Sequence, residues 1–150
     1  TINNSKPKSL IKSQIFKHLN SFSKEMRKPI SDFLNEIENC EFPFIVEGKK
    51  DAVALKRIGA KQTISLSGPM YAFIEKISSR YKKVVILTDL DAEGKKLYSI
   101  LHRGLSERGV TIDNYFREFL YRNTTLRQIE GLGTYIEGEL YFDKLRKNIY

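Results

Sequence analysis

The segment VVILTDLDAEG, residues 84–94, decides the fold that we predict for this chain. Its first four residues are aliphatic and mostly β-branched, which is typical of a buried strand. Asp89 and Asp91 follow, separated by one leucine, and Gly94 comes soon after. We expect a strand over 83–89, then a turn and a helix. Two acids at the end of a buried strand are unexpected in a chain with a net charge of +8, so they call for a chemical explanation.

Similar apolar segments recur on both sides of this strand, separated by segments with helical periodicity. Strands are predicted at 42–48 (FPFIVEG), 63–68 (TISLSG) and 83–89, and a fourth starts near 111. Helices are predicted at 51–58, with Asp51 as the N-cap, at 70–80 and at 93–107; Gly59 and Gly109 act as stop signals. Strands that alternate with helices of this length favour βαβ units. The sequence therefore predicts an α/β fold with a parallel sheet and helices on both faces.

Two further helices are predicted before the first strand. Apolar residues fall at helical spacing over 9–20 and again over 30–37, where Pro29 suits the first turn of the second helix. The composition then changes near residue 40. We therefore divide the chain into an N-terminal helical appendage at 1–40, an α/β core at 41–123 and a C-terminal extension at 124–150.

The composition is that of a globular chain with a basic charge balance. Lys and Arg number 26 against 18 Asp and Glu, which gives a pI near 9.5 and favours polyanionic partners. No apolar run approaches the ~18–20 residues of a membrane span, so we expect no membrane association. The single cysteine, Cys40, excludes an internal disulfide and is compatible with a reducing cytoplasm, where we expect the protein. Together with only His18 and His102, it is also insufficient for a zinc site.

Glu47 adds a third carboxylate to the same edge of the predicted sheet. It closes the first strand as Asp89 closes the third, and ligands bind along the edge where parallel strands end. In an extended segment, Asp89 and Asp91 point to one side, roughly 6–7 Å apart. Clustered carboxylates repel one another, and Mg²⁺ removes that penalty because it prefers oxygen ligands. The pattern predicts a magnesium site, and helix capping by Asp91 is the simpler alternative.

The paired motifs VEGKKD (46–51) and TDLDAEG (88–94) resemble the Toprim domain, which occurs in topoisomerases, primases, ribonuclease M5 and OLD-family nucleases. The resemblance covers about 42–123 and is closest to small stand-alone Toprim proteins. It implies a Rossmann-like sheet of four parallel strands in the order 2-1-3-4. It also implies that Glu47 is a general acid or base, and that Asp89 and Asp91 bind Mg²⁺, with Mn²⁺ as a substitute.

The remaining residues near this edge have weaker assignments. Glu93 lies where some Toprim proteins carry a further metal-binding acid, although a place in the first turn of a helix explains it more simply. Phosphate or nucleic-acid contacts are predicted for Gly48, Lys49, Lys50, Gly68, Gly94 and Lys95. Glycine allows a phosphate or another backbone to approach closely, and lysine neutralises phosphate charge. The alternatives are solvated lysines and, at Gly68, a plain turn.

Together these features predict a Mg²⁺-dependent enzyme acting on nucleic-acid phosphodiesters, as a nuclease or in RNA processing. The alternative is a non-catalytic nucleic-acid-binding or docking module, including a primase-like accessory of a larger complex. Hydrolysis of small phosphates or nucleotides is a third option. RNA or DNA is the expected partner, and a protein partner or a homodimer stays open.

Overall fold

The computed structural model describes residues 27–136 and 138, so the helix predicted at 9–20 lies outside the described residues. The helices are α1 (Arg27–Asn39), α2 (Lys49–Arg57), α3 (Met70–Arg80), α4 (Ala92–Glu107) and α5 (Tyr115–Asn123). The strands are β1 (Phe44–Val46), β2 (Thr63–Ser65), β3 (Lys83–Ile86) and β4 (Thr111–Asp113). After α5, a 3₁₀ turn at Ile129–Gly131 leads into a helical segment that begins at residue 132. No helix of the described part is long and apolar enough to cross a membrane.

The four strands form one parallel sheet in the order β2-β1-β3-β4. Phe44 of β1 is in register with Thr63 of β2 and with Val85 of β3. This order confirms the fold that the sequence resemblance implied. Because β1 and β3 are neighbours at the centre of the sheet, the residues that follow them meet at one edge.

Both faces of the sheet are covered, which explains why its central strands are apolar without alternation. Phe44 and Val46 pack into a cluster with α1, α2 and α5, whereas Ile45 packs into a second cluster with α3 and α4. All three of these β1 residues are 0% exposed. The sheet is therefore a rigid platform from which the loops at its carboxyl edge project.

Helix α1 joins the core through its apolar face. Pro29 lies in its first turn, as predicted, and Ile30, Phe33 and Ile37 are buried. The ring of Phe33 stacks on that of Phe119 in α5, with the centroids 4.4 Å apart. The 3₁₀ turn packs into the same cluster through its buried residue Ile129. The division of the chain at residues 40 and 123 stays a prediction, but the described parts of both flanking segments share the core's hydrophobic cluster.

Glycines end two of the helices as predicted, and the start of α2 differs from the prediction. Gly59 and Gly109 have φ values of +109° and +80°, a backbone region that glycine enters without strain. Helix α2 begins at Lys49 with Gly48 as its N-cap, so the prediction of Asp51 as the N-cap was wrong. Asp51 is the third residue of the helix, and its carboxylate reaches back to the Gly48 amide. The helix can start earlier because this contact satisfies an amide at its open end.

Candidate active site at the carboxyl edge of the sheet

Glu47 and Asp89 meet at the carboxyl edge of the sheet, although 42 residues separate them in sequence. Glu47 directly follows β1, and Asp89 lies three residues beyond the end of the neighbouring strand β3. The backbone amide of Asp89 donates a hydrogen bond to Glu47 Oε1 at 3.0 Å. The structure thus brings together the two motifs on which the sequence resemblance rests.

Asp89 and Asp91 each accept a backbone hydrogen bond through one carboxylate oxygen. Asp91 is the N-cap of α4, and its Oδ1 accepts from the Gly94 amide at 2.8 Å. Asp89 Oδ1 accepts from the Ile129 amide at 2.8 Å. The capping role that was the simpler alternative for Asp91 is therefore present, but it uses one of the two oxygens. These bonds fix the orientation of both carboxylates.

Asp51 is a fourth carboxylate of this edge that the sequence reasoning did not assign to the site. It is 7% exposed, and its Oδ2 accepts from the Gly48 amide at 3.0 Å. Burial raises the pKa of Asp51, and repulsion from Asp89 raises it further. A signal was present in the sequence, because an acid at the third position of a helix that follows Glu-Gly returns toward the end of the strand.

Glu47 lies close enough to the other carboxylates for their charges to affect its ionisation. Burial is the main cause that raises the pKa of Glu47, and the charges of Asp89, Asp91 and Asp51 raise it further. The hydrogen bond from the Asp89 amide opposes this rise. The four acids therefore form one electrostatic unit, which we call the acidic cluster (Glu47, Asp51, Asp89 and Asp91).

The donor set of the acidic cluster suits a hard divalent cation, because it consists of carboxylate oxygens. Among the described residues, no group of three or more Asp, Glu, His or Cys side chains is placed so that it could hold a metal ion by itself. The protein would therefore supply part of a coordination shell. Mg²⁺ tolerates this arrangement, since it usually retains several waters and binds one or two carboxylates together with substrate phosphates.

Arg117 of α5 fixes the loop that carries Asp89. Its guanidinium donates to the Thr88 carbonyl at 2.7 Å, to Thr88 Oγ1 at 3.1 Å and to the Asp89 carbonyl at 3.0 Å. It also lies 4.4 Å from the ring centroid of Tyr98. Burial lowers the pKa of Arg117, while the charges of Tyr98, Glu47 and Asp89 oppose that fall. The sequence signal for this residue was a charge between Phe116 and Phe119, two apolar residues at helical spacing.

Removing the Arg117 donors is expected to destabilise the fold. Arg117→Met keeps an apolar stem but leaves the Thr88 and Asp89 carbonyls without their donor, at a cost of about 2–4 kcal/mol. Arg117→Lys should recover only part of this loss, because an ammonium cannot reproduce the planar fork. Urea unfolding measures both, with exposed Arg122→Met on the same helix as the control. A loss below about 0.5 kcal/mol for Arg117→Met would contradict this role.

Gly94 allows the first turn of α4 to pack against the Asp89 loop. A Cβ at this position would lie only 1.9 Å from the Asp89 carbonyl oxygen, a contact that no side chain could make. The Gly94 carbonyl accepts from Thr88 Oγ1 at 2.7 Å, and its amide is bound to Asp91. The structure therefore explains this glycine by close backbone approach, and its predicted phosphate contact stays a prediction.

The other predicted residues lie at the surface near this edge or in a turn. Lys49, Lys50, Glu93 and Lys95 are exposed, in the first turns of α2 and α4. The Lys95 ammonium lies 5.6 Å from the ring centroid of Tyr121. Gly68, in the exposed connection after β2, has a φ of +68° and open space where a Cβ would be, so turn geometry accounts for it. Gly48 has an extended backbone and serves as the N-cap of α2.

Comparisons with known proteins agree with the fold. The Toprim domain model matches residues 42–114. A UPF0292 protein of Methanocaldococcus jannaschii is 33% identical over 111 residues, which cover 71% of this chain and 87% of that protein. Another, from Thermoplasma volcanium, is 30% identical over 106 residues, covering 69% of this chain and 89% of the relative.

A solved structure of a protein from Aquifex aeolicus has a similar fold. It superimposes with a TM-score of 0.60 at 33% sequence identity, covering 67% of this chain and 94% of that chain. The observed sheet order agrees with these similarities in fold and sequence. The chain therefore belongs to the UPF0292 family and carries a Toprim domain.

Proposed function

We propose that this protein is a Mg²⁺-dependent phosphodiesterase that acts on nucleic acid, as a nuclease or in RNA processing. The observation that carries the proposal is the hydrogen bond between the Asp89 amide and Glu47 Oε1. It joins the ends of two neighbouring parallel strands, and Asp91 and Asp51 share the same electrostatic field. A Toprim domain and a basic chain with a pI near 9.5 support a nucleic-acid substrate.

Asp89 and Asp91 are the residues that would hold Mg²⁺, or Mn²⁺ in its place. Their carboxylates are already oriented by backbone amides, so metal binding would cost little side-chain conformational entropy. A bound divalent cation supplies charge neutralisation of the phosphate and Lewis-acid polarisation of its oxygens. Glu93 is exposed in the first turn of α4, so its metal role rests on the resemblance alone.

Glu47 is the residue that would transfer a proton. Its Oε1 is fixed by the Asp89 amide, and among the described residues no hydrogen bond engages Oε2. Because burial and neighbouring charge raise its pKa, the carboxylate is a stronger base than a solvated glutamate. Glu47 is therefore suited to accept a proton from an attacking water at Oε2 and to return it to the leaving oxygen.

Exposed lysines at the same edge are suited to bind the phosphates of the substrate. Lys49 and Lys50 begin α2, and Lys95 lies in the first turn of α4. Each lysine that neutralises a phosphate releases counterions, which makes affinity depend on salt. These contacts would hold a strand against an edge that is otherwise acidic.

A non-catalytic nucleic-acid-binding or docking module is the second candidate, and one observation favours it. Each member of the acidic cluster already accepts a hydrogen bond from a backbone amide, and the described part of the chain has no group of three or more acids, histidines or cysteines that could hold a metal ion. Such an edge can bind and orient a partner without completing a reaction. A primase-like accessory of a larger complex belongs to this class.

Incubation with end-labelled substrates separates the two candidates. Single-stranded RNA, single-stranded DNA, structured RNA and duplex DNA are each mixed with the protein in Mg²⁺, Mn²⁺ or EDTA, and nucleoside triphosphates form a further arm. We expect metal-dependent cleavage of at least one polymer, lost in EDTA and in Asp89→Asn. Binding with a steep salt dependence but unchanged ends on a gel would favour the module, and release of phosphate from triphosphates alone would favour small-molecule hydrolysis.

Metal binding is expected to stabilise the folded protein, independently of catalysis. A cation that binds only the native state and is present at a hundred times its Kd adds about 2.7 kcal/mol to the free energy of unfolding. Thermal unfolding in a Mg²⁺ or Mn²⁺ titration should therefore show a rising Tm for the wild type and a flat response for Asp91→Asn. The exposed Asp32→Asn variant on α1 is the control, and it should respond like the wild type. Equal responses of all three proteins would exclude Asp91 as a ligand.

A further inference from the structure

The segment from Thr125 to Gly131, beyond the part that the Toprim model matches, is fixed against the acidic cluster. The Leu90 amide donates to the Arg127 carbonyl at 2.7 Å, and the Ile129 amide donates to Asp89 Oδ1 at 2.8 Å. Ile129 is 0% exposed and anchors the segment in the core. This stretch, which we call the docking segment (125–131), is therefore a fixed wall of the site.

Two open cavities adjoin at the docking segment. One, of about 520 Å³, is lined by Asp91 and the docking segment, including Arg127 and Glu130. The other, of about 540 Å³, is lined by Glu130 and the exposed face of α2. Both share Glu130 and Gly131 as lining residues, so the two cavities are neighbours, and the first also contacts the acidic cluster at Asp91; together we call them the groove.

Cations line the two ends of this groove. Lys49 and Lys50 begin α2, Arg57 ends it about two turns later, and all three line the second cavity, while Arg127 lines the first from the docking segment. All four side chains are exposed, and within residues 27–136 none of them forms a salt bridge. Their charge is therefore available to a bound anion along the groove.

We propose that this groove holds the sugar–phosphate backbone of a single nucleic-acid strand and leads it past the acidic cluster. The inference rests on the proposed function and names the path of its substrate. The cations at the two ends contact phosphates. Glu130, where the two cavities meet, repels phosphate. Each cavity has the volume of a small-ligand pocket, which suits one strand rather than a duplex.

Binding of a labelled 12-nucleotide strand at several salt concentrations tests the groove. The Arg57→Gln/Arg127→Gln double variant removes two cations, and Lys76→Gln/Arg80→Gln, on exposed positions of α3 against the opposite sheet face, is the matched control. We expect the slope of log K against log salt to fall by about 1.4 for the first pair, since each phosphate contact on a single strand contributes about 0.7. The control should keep the wild-type slope.

Glu130→Gln should change the affinity in the opposite direction, because it removes the negative charge where the two cavities meet. We expect it to tighten binding about threefold, which corresponds to the energy of one exposed charge pair. RNA and DNA strands of the same sequence form the two arms, and a duplex is the competitor. A wild-type slope in the double arginine variant, or tighter binding of the duplex than of the strand, would overturn the groove.

Failure of the groove and failure of the proposed function are distinguishable by this design. A wild-type protein that binds a strand with an Arg57- and Arg127-dependent slope, yet cleaves nothing, supports the groove and contradicts the proposed enzyme. Metal-dependent cleavage with no change of slope in the double variant supports the enzyme and contradicts the groove. The thermal unfolding of each variant is expected to match the wild type, because both arginines are exposed.

Discussion

Glu47→Gln is expected to lower the rate of metal-dependent cleavage by roughly 10²–10⁴-fold, the usual contribution of a positioned general acid or base. The carboxamide oxygen still accepts the hydrogen bond from the Asp89 amide, so the local geometry is kept. A carboxamide cannot accept a proton near neutral pH. Single-turnover rates at saturating Mg²⁺ measure the effect, with Glu75→Gln on the exposed side of α3 as the control.

The same substitution should leave the folded state at least as stable as the wild type in metal-free buffer. The pKa of Glu47 lies above its usual value of 4.5, so the unfolded chain loses this proton at lower pH than the folded chain does. As the pH rises above 4.5, ionisation of Glu47 therefore lowers the free energy of unfolding. Glutamine does not ionise, so it avoids this loss. The difference should vanish below a pH of about 4. Unfolding of Glu47→Gln at neutral pH would instead assign Glu47 a structural role.

Gly94→Ala is expected to destabilise the fold by more than about 4 kcal/mol, an effect reserved for severe steric conflict. The new methyl group would collide with the Asp89 carbonyl oxygen, carbon and Cα, at 1.9, 2.4 and 2.7 Å. Backbone atoms cannot move aside without displacing α4 from the β3 loop. The hydrogen bonds that Gly94 makes with Asp91 and Thr88 would then be lost as well.

Gly104→Ala, on the same helix, is the matched control for this prediction. Its Cβ would meet the Ile74 side chain at 2.6 Å, and that side chain can shift because its Cδ1 is a flexible end. Alanine also gains about 1 kcal/mol of helix propensity over glycine. We expect a change within about 1 kcal/mol for Gly104→Ala, measured by urea unfolding beside Gly94→Ala. Equal effects at both positions would contradict the close backbone approach at Gly94.

The sheet was predictable because its strands are short apolar segments with helices between them. The segment 83–89 contained β3, and the helix predicted at 70–80 matches α3. The strand order came from the resemblance to Toprim proteins, since periodicity alone does not order parallel strands. The meeting of Glu47 and Asp89 followed from that order, because neighbouring strands end at a common edge.

The other parts of the site carried only weak local signals, and their positions depended on contacts that form in the folded chain. Asp51 looked like a helix cap, and only the start of α2 at Lys49 places it beside the acidic cluster. Arg117 is a single charge in an apolar helix face, and its partners lie 28 and 29 residues away. The docking segment has no periodicity, and its position depends on the burial of Ile129 and on hydrogen bonds with the Leu90 amide and the Asp89 carboxylate.

The most direct measurement is an anomalous difference map from a crystal of the full chain soaked in Mn²⁺. The proposed site predicts a peak bonded to carboxylate oxygens of Asp89 and Asp91, with Glu47 beside it, and no such peak in Asp89→Asn crystals. Mn²⁺ bound only elsewhere, or no peak at the acidic cluster at millimolar Mn²⁺, would contradict a metal-dependent active site at this edge.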